Sequence, residues 1–289
     1  MRISSIIKLM RPHQYIKNLF IFLPLFFAAR ITDSALLFNA FVAFISFSLV
    51  ASAIYILNDY QDIEDDRQHP KKKARPLASG VITKPQAFII MALLFIAGAV
   101  LMALVSTIAM ANLLAYVVMN IAYSFYLKHV AILDVTVIAV GFVLRLFVGS
   151  AATDVQLSMW IVIMTFLLAL FLALAKRRDD VLIYLDTGKK MRKVIDGYNL
   201  QFLDAAMVIM ASVVIVAYTL YTTSAEVIAR VQSDYLYLTA LFVILGVMRY
   251  LQIAFVEKDS GSPTRVVLKD RFMQLTLVGW IATFAWVLY

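Results

Sequence analysis

Asn58-Asp59-Tyr60-Gln61-Asp62-Ile63-Glu64-Asp65-Asp66 sets a dense group of oxygen ligands directly after an apolar run, Phe41 to Leu57. Asn58, Asp62 and Asp66 are four residues apart, so on a helix they line one face, with Asp59 on its flank. Carboxylates stacked this way repel one another unless a cation sits between them. A hard divalent cation takes such ligands, and Mg²⁺ commonly bridges carboxylates to a substrate's phosphates. The basic run that follows, Arg67, Lys71, Lys72, Lys73 and Arg75, adds donors for phosphate oxygens. A solvated acidic helix end is the plainer explanation of the acids alone. Acids and bases together point to a metal–diphosphate site. Asn58, Asp59, Asp62 and Asp66 are its expected metal ligands, Asp62 and Asp66 its catalytic pair, and Lys71 and Arg75 its phosphate contacts.

The elements that must position these residues are membrane helices. The 289 residues are 63% hydrophobic and 15% charged, with a mean hydropathy of +0.88. A soluble domain is about half apolar and about a quarter charged. Apolar stretches fall near 18–31, 36–57, 86–105, 109–127, 131–150, 157–175, 203–222, 235–254 and 272–288. Most have the length that a bilayer core of about 30 Å demands of a helix. The expected fold class is an all-α polytopic membrane protein, one domain over 1–289, with polar loops at 58–85 and 176–202. No segment ahead of the first span reads as a cleaved secretory signal. The chain has no Cys, which excludes disulfides, thiolate catalysis and Cys-held metals.

Charge placement gives the orientation. Of the 26 Lys and Arg, all but Arg30, Arg145 and Arg230 fall on one side of the nine spans. The positive-inside rule puts that side in the cytoplasm. The N-terminus is then cytoplasmic and the C-terminus periplasmic or extracellular, in an inner (cytoplasmic) membrane. The net charge of +8 is accounted for by topology and by anionic lipid head groups. No motif suggests nucleic acid. The charged loops after spans two and six suggest two loosely repeated halves.

The acidic stretch, with Arg75-Pro76-Leu77-Ala78-Ser79-Gly80 behind it, resembles the first signature of the UbiA superfamily of intramembrane prenyltransferases. The similarity continues through Asn120-Ile121-Ala122-Tyr123-Ser124-Phe125-Tyr126-Leu127-Lys128, Asp134 and Arg145. That resemblance implies nine transmembrane helices around a central lipid-accessible cavity, with Mg²⁺ and a diphosphate at its cytoplasmic end. The aromatic prenyltransferases of the superfamily carry a second acidic motif after span six. Here the segment reads Ala175-Lys176-Arg177-Arg178-Asp179-Asp180. Cations therefore stand where acids are expected, which weakens a second metal site and favours direct phosphate contact by Lys176 and Arg177. A basic flank that stops membrane transfer explains them equally well.

Three further stretches resemble one branch of the superfamily, the decaprenyl-phosphate phosphoribosyltransferases. They are Arg11-Pro12-His13-Gln14-Tyr15-Ile16-Lys17-Asn18, Lys176-Arg177 with Tyr198 downstream, and Ser262-Pro263-Thr264-Arg265 leading to Asp270-Arg271. The branch transfers 5-phosphoribose from phosphoribosyl pyrophosphate to a polyprenyl phosphate and releases pyrophosphate. What it implies is a substrate site of Lys17, Asn18, Asn58, Lys71, Arg75, Asn120, Tyr123, Lys128, Asp134, Arg145, Lys176, Arg177 and Tyr198, with Tyr123 and Tyr198 beside the sugar. Interface anchoring accounts for Tyr123 and Lys128 as well. Homo-oligomerisation is left open.

Arg145 lies mid-span, where an ionisable group is costly and needs a partner or cavity water. Asp134 lies near a span end. Gly141 and Gly149 suit close helix contact. His13, His69 and His129 share no ligand spacing, and the Met and Phe suit packing and lipid contact. The expected activity is Mg²⁺-dependent phosphoribosyl transfer to a polyprenyl phosphate. The rivals are an aromatic prenyltransferase using a prenyl diphosphate and a transporter or lipid carrier. A carrier is disfavoured because only Arg145 is deep.

Overall fold

The computed structural model describes residues 3–68, 72–188, 190, 193–258 and 261–288, with backbone only at Gln68, Lys193 and Arg230. Among them there is no strand. The helices are α1 (Ile3–Met10), α2 (Leu23–Phe27), α3 (Ser34–Gln61), α4 (Ile63–Gln68), α5 (Lys84–Val105), α6 (Thr107–Phe125), α7 (Leu133–Thr153), α8 (Met159–Thr187), α9 (Leu200–Thr223), α10 (Ala225–Val231), α11 (Thr239–Gln252), α12 (Pro263–Lys269) and α13 (Arg271–Leu288). Eight segments of the described residues are long and apolar enough to cross a membrane: α3, α5, α6, α7, α8, α9, α13, and residues 234–257 around α11. The protein is an integral multi-pass membrane protein.

The expected first span is not a long α-helix. A 3₁₀ helix, Pro12–Phe22, runs into the short α2. With about 2.0 Å of rise per 3₁₀ residue and 1.5 Å per α residue, these residues cover about 30 Å. Hydropathy cannot tell the two helix types apart, and Pro12 and Pro24 each open a new segment. The period of three puts Tyr15, Asn18 and Ile21 on one face. Tyr15 and Asn18 bond Ser52 and Ser48 of α3, and Ile21 has no exposure.

The chain divides into two compact units, Met1–Leu127 with Gly141–Leu157, and Lys128–Val140 with Ser158–Tyr289. In the first, α3 packs against α5, and Ser46 Oγ donates to Gly98 O at 2.6 Å. A Cβ at Gly98 would lie 2.7 Å from Ser46 O, so the small residue sets that approach. At Gly149 a Cβ would lie 2.1 Å from Ile21 O. Gly149 thus brings α7 against the 3₁₀ helix, as expected. Gly141 has only ordinary neighbours. In the second unit α8 packs against α9 and α11 against α13, around Phe171, Leu203, Met207 and Tyr250.

Caps mark the helix starts. Asp33 accepts from Leu36 N, Ser106 from Ala109 N and Asn199 from Phe202 N, and Thr83 with Gln86 forms a capping box. The expected loop at 176–202 is helical as far as Thr187, where Gly188 ends α8 in the left-handed region. Residues 58–61 likewise belong to α3.

Candidate active site

The acidic stretch keeps its helical register across the junction of α3 and α4. Asp62 N–H donates to Asn58 O at 3.0 Å, and Asp66 N–H to Asp62 O at 2.8 Å. The four-residue ladder of Asn58, Asp62 and Asp66 therefore survives although Asp62 sits between the two helices. Asp59 and Asp66 are buried at 2% exposure each, and Asp62 is half-buried.

Cations converge on them from distant parts of the sequence. Arg75 NH1 lies 3.0 Å from Asp59 Oδ1 and 2.7 Å from Asp66 Oδ2. Arg11, in the left-handed region at φ 56°, also pairs with Asp59 and lies over the Tyr55 ring. Ser124 Oγ of α6 donates to Asn58 Oδ1. Asn120 is bonded back to Tyr116 O of its own helix, and Tyr123 is half-buried on the same helix. Lys71 lies outside the described residues. No group of three or more metal-type ligands is gathered among the described residues. Yet one guanidinium nitrogen lies between the carboxylates of Asp59 and Asp66, the place a bridging divalent cation takes. The oxygen donors of Asn58, Asp59, Asp62 and Asp66 are of the type such a cation takes.

Deeper in the same unit, Arg145 is 4% exposed. Its Nε donates to Asn18 Oδ1 at 2.8 Å, its NH1 to Gly141 O at 2.6 Å, and its NH2 stands 3.5 Å from Tyr116 OH. The rings of Phe47, Tyr116 and Phe142 surround it at 4.9, 5.1 and 5.2 Å. Asn18 is 2% exposed and holds Ser48 with its amide. Lys17 is half-buried beside it.

The second unit holds a different arrangement. Arg177, expected on phosphate, is 1% exposed and enclosed by acids: its Nε bonds Asp134 Oδ2 at 2.5 Å and its NH1 bonds Asp180 Oδ2 at 2.8 Å. Asp134 has no exposure and also accepts from Tyr198 OH at 2.6 Å, which in turn accepts from Ile132 N–H. Burial, and then the bond to Asp134, raise the Tyr198 phenol above its usual pKa. Asp134, Arg177 and Tyr198 thus form a buried hydrogen-bonded network. Arg178 is buried too, bonding Asp204 Oδ1 and Ala254 O at 2.6 Å each. Its carbonyl partner lies in the π-helical turn Ile253–Glu257. Neither arginine is a solvated membrane flank. Lys176 is half-buried in α8, and Lys128 lies in the 3₁₀ turn Leu127–His129. In the Asp270-Arg271 stretch, Asp270 pairs with Arg249 and caps α13 through Met273 N–H.

Sequence reading missed Arg11, Tyr116, Ser124 and Asp180 as parts of these clusters. Arg11 and Asp59 are 48 positions apart, and no local pattern joins them.

Residues 18–287 match the family described as the UbiA prenyltransferase family. The chain belongs to the UbiA family. It is a transferase. The chain is 30% identical to a decaprenyl-phosphate phosphoribosyltransferase of Mycolicibacterium smegmatis over 99% of its own length and 93% of the relative's. The protein of that name from Corynebacterium glutamicum is 30% identical over 99% of this chain and 87% of its own. A solved structure of a UbiA homologue from Archaeoglobus fulgidus bound to GPP and Mg²⁺ superposes with a TM-score of 0.73 at 18% identity, over 99% of both chains. This UbiA member shares that fold.

Proposed function

We propose that this UbiA transferase moves 5-phosphoribose from phosphoribosyl pyrophosphate to a polyprenyl phosphate and releases pyrophosphate. The observation that carries the reading is the full-length likeness to relatives bearing that name, on a chain whose Asp59 and Asp66 converge on one cation position. Asn58, Asp59, Asp62 and Asp66 would hold Mg²⁺, and when bound it would neutralise the leaving diphosphate. Arg75 and Arg11 stand where they can release the carboxylates to the metal and take phosphate oxygens themselves. Lys128 and Lys176 would be further phosphate contacts.

The bond that forms joins an oxygen of the lipid phosphate to C1 of the ribose. The bond that breaks joins C1 to the pyrophosphate oxygen, which leaves with the electron pair. A lipid phosphate is already anionic near neutral pH, so no strong general base is required. The demand on the protein is to neutralise the leaving group and an oxocarbenium-like centre. Arg177, held by Asp134 and Asp180, would position α8 and the Tyr198 loop rather than touch phosphate.

One observation favours a second reading, a prenyl diphosphate as donor: the solved fold neighbour carries GPP. Binding separates the two. With Mg²⁺, the purified protein should bind phosphoribosyl pyrophosphate; ribose 5-phosphate should compete weakly and geranyl diphosphate should not. Competition by geranyl diphosphate alone would favour the prenyl donor. The orientation proposed is N-terminus cytoplasmic and C-terminus on the far side, with the acidic cluster at the cytoplasmic face of an inner membrane.

A further inference from the structure

A cleft of about 440 Å³ lies in the first unit between the start of α6 and the end of α7. The acidic cluster is at the other end of α6, where Ser124 bonds Asn58. From Ile108, which lines the cleft, to Ser124 is sixteen residues, and at about 1.5 Å each they span about 24 Å. A bilayer core is about 30 Å thick. The cleft and the acidic cluster thus lie toward opposite faces of the membrane.

The α7 wall grades from charge at the rim to apolar surface inside. Phe147 and Ala151 are one turn apart on α7, and Asp154 follows just past the helix end. Phe147 lies seven residues, about 10 Å, deeper than Asp154. On α6, Asn112 lies one turn inward of Ile108. The rim is pre-formed. Ser150 Oγ donates to Val155 O at 2.6 Å, and Ser150 O accepts from Val155 N–H at 3.2 Å. These bonds close the turn that holds Asp154 at φ 52°, in the left-handed region that Asp tolerates.

The lining selects the occupant. Among the described residues Asp154 is its one charged group, and no cation pairs with it. A hard metal ion takes several oxygen ligands, carboxylates above all, and the described residues gather no such group. Ile108 and Phe147, 66% and 37% exposed, offer apolar surface that an ion would leave bare. A protein partner needs about 800 Å² on each side, whereas this cleft has the size of a small-ligand site. An amphiphile with a cationic head fits both the carboxylate and the apolar wall. A primary ammonium has three N–H donors for Asp154, and a quaternary ammonium has none. A phosphodiester behind it would accept from Asn112, whose amide gives one N–H to Ile108 O and keeps the other. Gln156 at the rim makes no hydrogen bond among the described residues and supplies a second amide. An anionic head group would be repelled by Asp154.

We infer that this cleft is a lipid site, distinct from the substrate site, for a phospholipid with a primary-amine head group. The ammonium bonds Asp154, the phosphodiester takes the amides of Asn112 and Gln156, and an acyl chain covers Ile108 and Phe147. The lipid bridges the start of α6 and the end of α7. In the proposed orientation it belongs to the leaflet away from the cytoplasm. The site is the same whichever donor the transferase uses.

The experiment uses the full protein, delipidated in detergent, and native mass spectrometry. Phosphatidylethanolamine, phosphatidylcholine and phosphatidylglycerol with matched chains are titrated against wild type, Asp154→Asn and Asn112→Ala. Asn also tolerates the left-handed region, so Asp154→Asn keeps the turn while losing the charge. Wild type should bind its first phosphatidylethanolamine about 10-fold tighter than phosphatidylcholine. Asp154→Asn should lose about 10-fold in phosphatidylethanolamine affinity, the loss of one charge-assisted contact, and bind the other two lipids as before. Asn112→Ala should weaken phosphatidylethanolamine by about 5-fold, as for one neutral hydrogen bond. Equal wild-type affinities for phosphatidylethanolamine and phosphatidylcholine would overturn the site. So would an Asp154→Asn protein that keeps the preference. A wild-type dimer that Asp154→Asn dissociates would overturn it too, giving the cleft to a second copy of the chain.

Discussion

Arg177 on α8 and Asp134 on α7 are joined by a 2.5 Å bond, and neither side chain reaches solvent. A buried pair of this kind costs desolvation on both sides, and breaking it strands a charge. Arg177→Ala should therefore lower stability by about 3–5 kcal/mol. The double variant Asp134→Asn with Arg177→Met should lose less than the sum of its two single variants. Thermal unfolding in detergent reads both. A stable, well-folded Arg177→Ala protein with a raised KM for phosphoribosyl pyrophosphate would return Arg177 to the phosphate site.

Asp62 and Asp66 are the acids on which the metal reading depends. Asp62→Ala should abolish nearly all turnover at saturating Mg²⁺ while expression and gel-filtration profile stay normal. Asp66→Ala should do the same with an added stability loss, because it also removes the 2.7 Å contact with Arg75. Near-normal turnover of both variants would remove the carboxylates from the mechanism.

The long helices were legible because hydropathy at membrane length leaves few alternatives: the expected 86–105 and 272–288 match α5 and α13 to within two residues. The first span was not, since a 3₁₀ and an α segment carry the same apolar run, and only the three-residue spacing of Tyr15, Asn18 and Ile21 hints at the difference. The acidic cluster was legible from its own spacing. Arg75 was legible beside it as part of the basic run, but Arg11 was not, because it arrives from 48 positions away. The burial of Arg177 was not legible for a related reason, since its partner Asp134 lies 43 positions away on α7.

Gly149 should tolerate no side chain. A Cβ there would lie 2.1 Å from Ile21 O, a backbone atom that can move only by shifting the 3₁₀ helix. Gly149→Ala should cost about 1–3 kcal/mol in thermal unfolding, as overpacking does. Gly141→Ala, whose Cβ would have only ordinary contacts of 3.5 Å and beyond, should be mild by comparison. Equal melting of the two variants would contradict the close approach.

The proposed orientation is read by reporters. A fusion after Tyr289 should report the far side of the membrane, and an insertion near Lys190 the cytoplasm. The pattern requires residues 12–27 to cross in addition to the eight long segments. If this segment does not cross, both reporters invert, Lys190 to the far side and Tyr289 to the cytoplasm; both on one side would mean that one of the three spans between them does not cross.

Donor identity tests the account most directly. Purified protein in nanodiscs with Mg²⁺ is given phosphoribosyl pyrophosphate labelled in the ribose, together with a polyprenyl phosphate, and lipid product and pyrophosphate are followed by mass spectrometry. The account predicts a lipid heavier by one phosphoribosyl group and one pyrophosphate released per lipid formed, with Asp62→Ala inactive. No labelled lipid from that pair, with turnover of a prenyl diphosphate onto an aromatic acceptor by the same preparation, would contradict it.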